Sequence, residues 1–162
     1  MFCRLCKTVF SVDRAIDLLG VYDFVSAKAA GVTAAPMGFG GATADSSFAE
    51  VKLFEEGRGA QLQLMKCTCP TEKSEMAHYV ADYPLALYTF HGAVRLQPDT
   101  KYVLQIEKTG VYTTVPSGQW QKKIVCSSTG TTFLHADNSS NDGTRVHSFM
   151  FRSVVDTGTA TR

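Results

Sequence analysis

The segment 83–108 constrains the fold of this chain more than any other part of its sequence. Apolar and polar side chains alternate over 94–97 and again over 102–107, on either side of a break at Pro98 and Asp99. A period of two is typical of a strand with one buried face, and proline followed by aspartate favours a tight turn. The pattern therefore predicts two antiparallel strands around this turn. Because two strands alone are only marginally stable in water, further sheets must pack against them.

Alternating segments recur along the rest of the chain. The segment 16–21 is interpreted as a strand rather than a helix, because β-branched and aromatic residues flank it. A second hairpin is predicted from 47–54 and 61–65, joined by the turn-like residues 55–59. Further strands are predicted at 85–89, 111–115, 120–126, 132–136 and 145–152. About nine or ten short strands without a convincing helix predict an all-β fold, an antiparallel β-sandwich of jelly-roll type.

Length and charge limit the classes of protein that this chain can belong to. Its 162 residues suit one domain, which we place at 10–153 between an N-terminal segment 1–9 and a C-terminal tail 154–162. The formal net charge is +1, so no nucleic-acid partner is expected. No apolar run reaches the ~20 residues that span a bilayer, and no membrane insertion is expected. Five cysteines fit reduced thiols, which predicts a cytoplasmic protein.

No pattern in the sequence predicts a metal site or a catalytic centre. Cys3-x2-Cys6 and Cys67-x-Cys69 could supply four thiolates, but zinc ribbons usually pair two CxxC knuckles. Four histidines are available as bases for a cysteine or serine nucleophile, yet none lies in a recognisable signature. We expect no cofactor, no bound metal and no enzymatic activity.

Several segments, in this order, resemble the PHR domain, a β-sandwich module of Pam/Highwire-type ubiquitin ligases and of BTB-domain adaptor proteins. They are FSVDRAIDLLGVYDF at 10–24, GFGG at 38–41, SFAEVKLFEE at 47–56, PLALYTFHGAVRLQPDTKYVLQIEKTG at 84–110 and TTFLHADNSSNDGTRV at 131–146. The chain differs from the family in its Ala/Gly-rich stretch at 25–37 and in lacking the usual Gly-Gln-Ile-Pro ending. The resemblance implies a divergent member that binds proteins, as family members present clients to a ubiquitin ligase and are not enzymes.

The leading hypothesis is a non-catalytic protein-interaction module that binds a partner or client through loops of the sandwich. Its expected contact residues are aromatic or turn-forming side chains: Phe39, Tyr112, Trp120, Asn138 and Asn141. Trp120 fits the core as well as an interface. One alternative is a structural subunit of a large cytoskeletal or multiprotein assembly. Another is a lectin-like or calcium-dependent jelly roll whose oxygen ligands are Asp137, Asn138, Asn141 and Asp142.

Overall fold

The computed structural model describes residues 3–24, 48–59, 61–68, 78–80, 83–109, 122–136 and 146–155. These residues form ten strands, and no helix occurs among them. The strands are β1 (Cys3–Val12), β2 (Ile16–Phe24), β3 (Phe48–Glu55), β4 (Gln61–Thr68), β5 (His78–Val80), β6 (Tyr83–Leu96), β7 (Tyr102–Thr109), β8 (Lys123–Val125), β9 (Thr132–His135) and β10 (Ser148–Ser153). The described residues therefore contain nothing with the length and apolar character of a membrane-spanning helix.

The ten strands form two antiparallel sheets. The six-stranded sheet has the order β4-β3-β7-β1-β9-β8, and the four-stranded sheet has the order β10-β2-β6-β5. β1 begins at Cys3 and pairs with β7 as far as Phe10, so residues 3–9 belong to the six-stranded sheet.

The hydrophobic core lies between the two sheets. Phe10, Leu53 and Ile106 of the six-stranded sheet and Ile16 and Leu18 of the four-stranded sheet belong to one fully buried cluster. Aromatic rings connect the layers, since Phe149 of β10 lies 4.6 Å from Phe10 and 4.9 Å from Phe133 between ring centroids. The predicted fold class, an all-β antiparallel sandwich, is confirmed, because both sheets bury one face in this core.

The predicted hairpin at Pro98 and Asp99 is wrong, although both of its strands exist. β6 lies in the four-stranded sheet and β7 in the six-stranded sheet, so this turn crosses from one layer to the other. Asp99 adopts a positive φ of 59°, and the N–H of Gln97 donates to the Tyr102 hydroxyl at 2.8 Å. The alternating pattern does not distinguish a hairpin within one sheet from a turn between two sheets, because it indicates only that each strand has one buried face.

Other predicted elements agree with the structure to different degrees. The strand at 16–21 and the hairpin of β3 and β4 are confirmed. The segment 85–89 is not a separate strand but the first part of β6. The predicted strands at 132–136 and 145–152 correspond to β9 and β10, and the described part of 120–126 contains β8, while 111–115, 120, 121 and 145 lie outside the described residues.

A bulge interrupts the four-stranded sheet beside Gly20. Leu18 pairs with Val94 whereas Gly20 pairs with Thr89, so four residues of β6 lie opposite Leu19 alone. A Cβ at Gly20 would approach the carbonyl oxygen of Tyr88 to 2.5 Å. The close approach of the two backbones therefore requires glycine at this position.

Candidate functional site

The residues expected to contact a partner cannot be located within the described part of the chain. Phe39, Tyr112, Trp120, Asn138 and Asn141 all lie outside it, as do the possible calcium ligands Asp137 and Asp142. The candidate site is accordingly built from described residues at the end of the six-stranded sheet where β8 and β9 form a hairpin.

The hairpin forms because a short β-branched strand precedes a turn rich in serine, threonine and glycine. Ile124 and Val125 favour extended backbone, and Gly130 supplies the left-handed conformation of the turn with a φ of 69°. The N–H of Cys126 donates to the carbonyl of Thr131 at 2.9 Å, and the N–H of Gly130 donates to the carbonyl of Cys126 at 2.8 Å. These bonds close the turn at 126–131.

The turn between β1 and β2 supports this hairpin from the side. The Asp13 carboxylate accepts the N–H of Thr132 at 2.9 Å, and the N–H of Asp13 donates to the carbonyl of Thr132 at 3.1 Å. The Arg14 guanidinium donates to the carbonyl of Thr129 at 3.3 Å. Partial burial raises the pKa of Asp13, but the Thr132 N–H and Arg14 outweigh it, so the pKa lies below its ordinary value. Asp13 therefore binds the hairpin as a carboxylate at neutral pH.

β8 is an edge strand, and no other described strand pairs with its outer side. The N–H of His135 donates to the carbonyl of Lys122, and the N–H of Cys126 donates to the carbonyl of Thr131. In an antiparallel ladder alternate residues point their backbone groups to the same side. Lys123 and Val125 consequently direct their N–H and C=O groups away from β9, to the side on which no described strand pairs with β8.

The side chains at this edge are unusually apolar for an exposed position. Val125 is 54%, Leu134 is 45% and Ile124 is 39% exposed. Lys123 pairs directly with Leu134, so these two side chains share the outer face of the sheet. We call Lys123, Ile124, Val125 and Leu134 the β8 edge. An exposed apolar edge strand is a template for pairing with another chain.

Positive charge surrounds the β8 edge. Lys122 and Lys123 are exposed, and the side chain of Arg14 is 51% exposed at the supporting turn. Asp13, the acidic group of that turn, forms an ion pair with Arg14 at 3.4 Å. Among the described residues, the edge therefore combines apolar side chains with a net basic surrounding.

A thiol at the end of β8 adds chemical reactivity. The sulfur of Cys126 lies 3.2 Å from the hydroxyl oxygen of Ser128. Hydrogen bonds from the side chains of Ser128 and Thr129, followed by their backbone groups, lower the pKa of Cys126 to about 7. A substantial share of this thiol is thiolate at neutral pH.

The strand order argues against the zinc site that the cysteine pairs could have formed. Cys67 lies in β4 and the pair Cys3 and Cys6 in β1, with β3 and β7 between them. Three strand spacings amount to about 14 Å, whereas Zn–S bonds of about 2.3 Å bring thiolates much closer together. Among the described residues, no group of three or more His, Cys, Asp or Glu side chains is arranged to hold a metal ion.

Only part of this site could be predicted from the sequence. The segment 120–126 predicts a strand, and Lys122-Lys123 is the adjacent basic pair within it. The edge position depends on which strands pair, and a local pattern carries no information about pairing.

Comparison with known proteins adds no identification: no protein-family model matches the chain, and no curated protein matches it significantly. The class that the fold defines is an all-β antiparallel sandwich.

Proposed function

We propose that the chain is a non-catalytic protein–protein interaction module. Its resemblance to the PHR domain makes a recognition subunit of a ubiquitin ligase the most specific form of this proposal. Such a subunit would bind a client or partner protein on the sandwich surface.

The observation that supports the proposal best is the β8 edge. Val125, Leu134 and Ile124 expose apolar surface beside backbone groups that no described strand pairs with. Exposing apolar side chains to water is unfavourable unless a partner covers them, so exposed apolar patches mark interaction sites. The neighbouring turn is held by Asp13 and Arg14, which keeps the surface ordered before binding.

Cross-linking in the native source, followed by affinity isolation of the full chain and mass spectrometry, tests the proposal. We expect a cullin-type ligase and a client protein, each recovered in substoichiometric amounts, with cross-links from lysines of the sandwich. Stoichiometric recovery of a filament or another large stable assembly would contradict the recognition role, and recovery of no protein neighbour would contradict an interaction module altogether.

A further inference from the structure

We infer that β8 binds its partner by strand addition, and that the partner segment is extended, apolar and acidic. This inference rests on the proposed function and specifies the surface and the chemistry of the partner. The partner segment would become a seventh strand of the six-stranded sheet, next to β8.

The backbone of β8 supplies the directional part of this recognition. Lys123 and Val125 present two N–H groups and two C=O groups at regular spacing along the open edge. An extended peptide satisfies these groups with its own backbone, as in β-augmentation. Edge strands that do not bind partners are usually protected by bulges, by proline or by a covering segment. Among the described residues, β8 carries two other protective features, the charge of Lys123 and a length of only three residues, and neither occupies its outward backbone groups.

The side chains determine which peptide fits. Val125 and Leu134 lie on the outer face of the sheet, whereas Ile124 pairs with Phe133 and so lies on the core side. An added strand places its alternate side chains on these two faces. Apolar residues of the partner would therefore cover both Val125 and Ile124.

The charge of the edge favours a partner of opposite charge over a second copy of the chain. Two copies paired through β8 would bring both Lys122-Lys123 pairs into one small interface, where like charges repel each other. A partner carboxylate opposite Lys123 would instead form a cross-strand ion pair. The basic surrounding thus selects an acidic segment.

The experiment is a selection of random displayed peptides against the full chain, with peptides of about ten residues, which is longer than most strands. We expect the enriched peptides to alternate apolar residues and to contain aspartate or glutamate. Their dissociation constants are then measured by titration on the wild-type chain and on three variants of the β8 edge.

The three variants test the outward backbone, the side chain at position 125 and the charge at position 123. V125P removes an outward N–H without removing a bond to β9, and we expect binding to weaken about tenfold. V125D places a carboxylate against the acidic peptide and has L64D as its matched control, because Leu64 is 42% exposed on β4 at the other edge of the sheet. K123E is expected to weaken binding about three- to fivefold at low salt, and the difference should shrink at high salt.

Each outcome of this experiment supports or overturns the inference. The inference is supported if V125D and K123E bind the selected peptides more weakly than the wild type does, while L64D binds them equally well. Thermal unfolding must also show that all variants are folded. Equal binding of the peptides to every folded variant overturns the β8 site while leaving the interaction module in place. No enrichment of peptides overturns strand addition, and dimerisation that V125D abolishes assigns the edge to a second copy instead.

Discussion

At the residue scale, Asp17 is a polar side chain of the four-stranded sheet that bonds to both neighbouring strands. It lies in β2 directly opposite Arg95 of β6 and Arg152 of β10. One carboxylate oxygen accepts from Arg95 at 2.6 Å and the other accepts from Arg152 at 3.1 Å. Asp17 therefore links three neighbouring strands on the outer face of the sheet.

We expect D17N to lower the melting temperature at neutral pH, because an amide cannot form the two ion pairs. The hydrogen bond from Arg95, aided by that from Arg152, lowers the pKa of Asp17 below its ordinary value of 3.8. The carboxylate therefore stabilises the fold fully above this value, and the stabilisation is lost as the pH falls through the pKa of the folded state. The difference between D17N and the wild type should disappear in strong acid.

Thermal unfolding followed by circular dichroism across this pH range measures the effect. D99N is the matched control, since Asp99 is exposed in a turn and asparagine tolerates its positive φ. If D99N lowered the melting temperature as much as D17N, the role assigned to the two arginines would be wrong.

The reactivity of Cys126 is a second property of single residues. Because the Ser128 hydroxyl stabilises the thiolate, alkylation of Cys126 should reach half of its maximal rate near pH 7, the pKa of this thiol being lowered to about 7. S128A should move this midpoint towards the ordinary pKa of 9.0. Peptide-resolved mass spectrometry after pulses of iodoacetamide distinguishes Cys126 from the other cysteines. S127A is the control, and an equal shift of the midpoint in both variants would argue against a specific bond from Ser128.

At the element scale, the bulge between β2 and β6 depends on one glycine. The register between the two strands changes at this bulge, and their backbones approach closely at Gly20. On β10, the register also shifts between Met150 and Phe151, opposite the same region of β2. The bulge thus reverses which residues face the core: Ile16 and Leu18 are buried before it and Val21 after it.

We expect G20A to destabilise the chain by roughly 1–3 kcal/mol, the usual cost of inserting atoms into a packed site. The added Cβ would meet the carbonyl of Tyr88, which belongs to the backbone and cannot move independently. Chemical denaturation gives the free energy of unfolding. G92A is the control, because a Cβ at Gly92 would meet no described atom within 4 Å apart from those of Gly92 and its two chain neighbours. Equal stabilities of G20A and G92A would contradict the close approach of β2 and β6.

At the scale of the whole molecule, one buried hydrogen bond helps to connect the layers. Thr8 of β1 is fully buried, and its hydroxyl accepts the N–H of Val146 at 3.1 Å. The next residue, His147, donates its N–H to the carbonyl of Tyr22 in β2 at 3.1 Å. The segment before β10 is therefore bonded to both sheets.

We expect T8V to lower the free energy of unfolding by about 1–3 kcal/mol, because valine keeps the shape of threonine but leaves the buried N–H of Val146 without its acceptor. Chemical denaturation of T8V and of T89V measures this. Thr89 is exposed on β6, so T89V should change the stability by no more than about 0.5 kcal/mol. A T8V variant as stable as T89V would show that this bond contributes little to joining the sheets.

The core was the most predictable part of the molecule. Alternation located the buried residues Leu96, Tyr102, Leu104 and Ile106, because burial of one face of a strand imposes a period of two. The turn at Pro98 was predicted as well, but the strands that pair with β6 and β7 were not. β6 pairs with β2 and β7 pairs with β1, which are distant in sequence. The candidate site was less predictable than the core, since Val125 and Leu134 are exposed at an edge that only the strand order defines.

By itself, the sequence determined that the described part of this chain consists mainly of strands, which of their residues are apolar, and that an all-β sandwich results. These properties follow from local spacing and turn chemistry, which act over a few residues. The tertiary structure alone decided which strands share a sheet, that the turn at Pro98 crosses between layers, and that β8 lies at an edge beside Asp13 and Arg14. The physical reason is that strand pairing and layer packing are long-range contacts. Many pairings satisfy the same local pattern, and the free energy of the whole core selects among them.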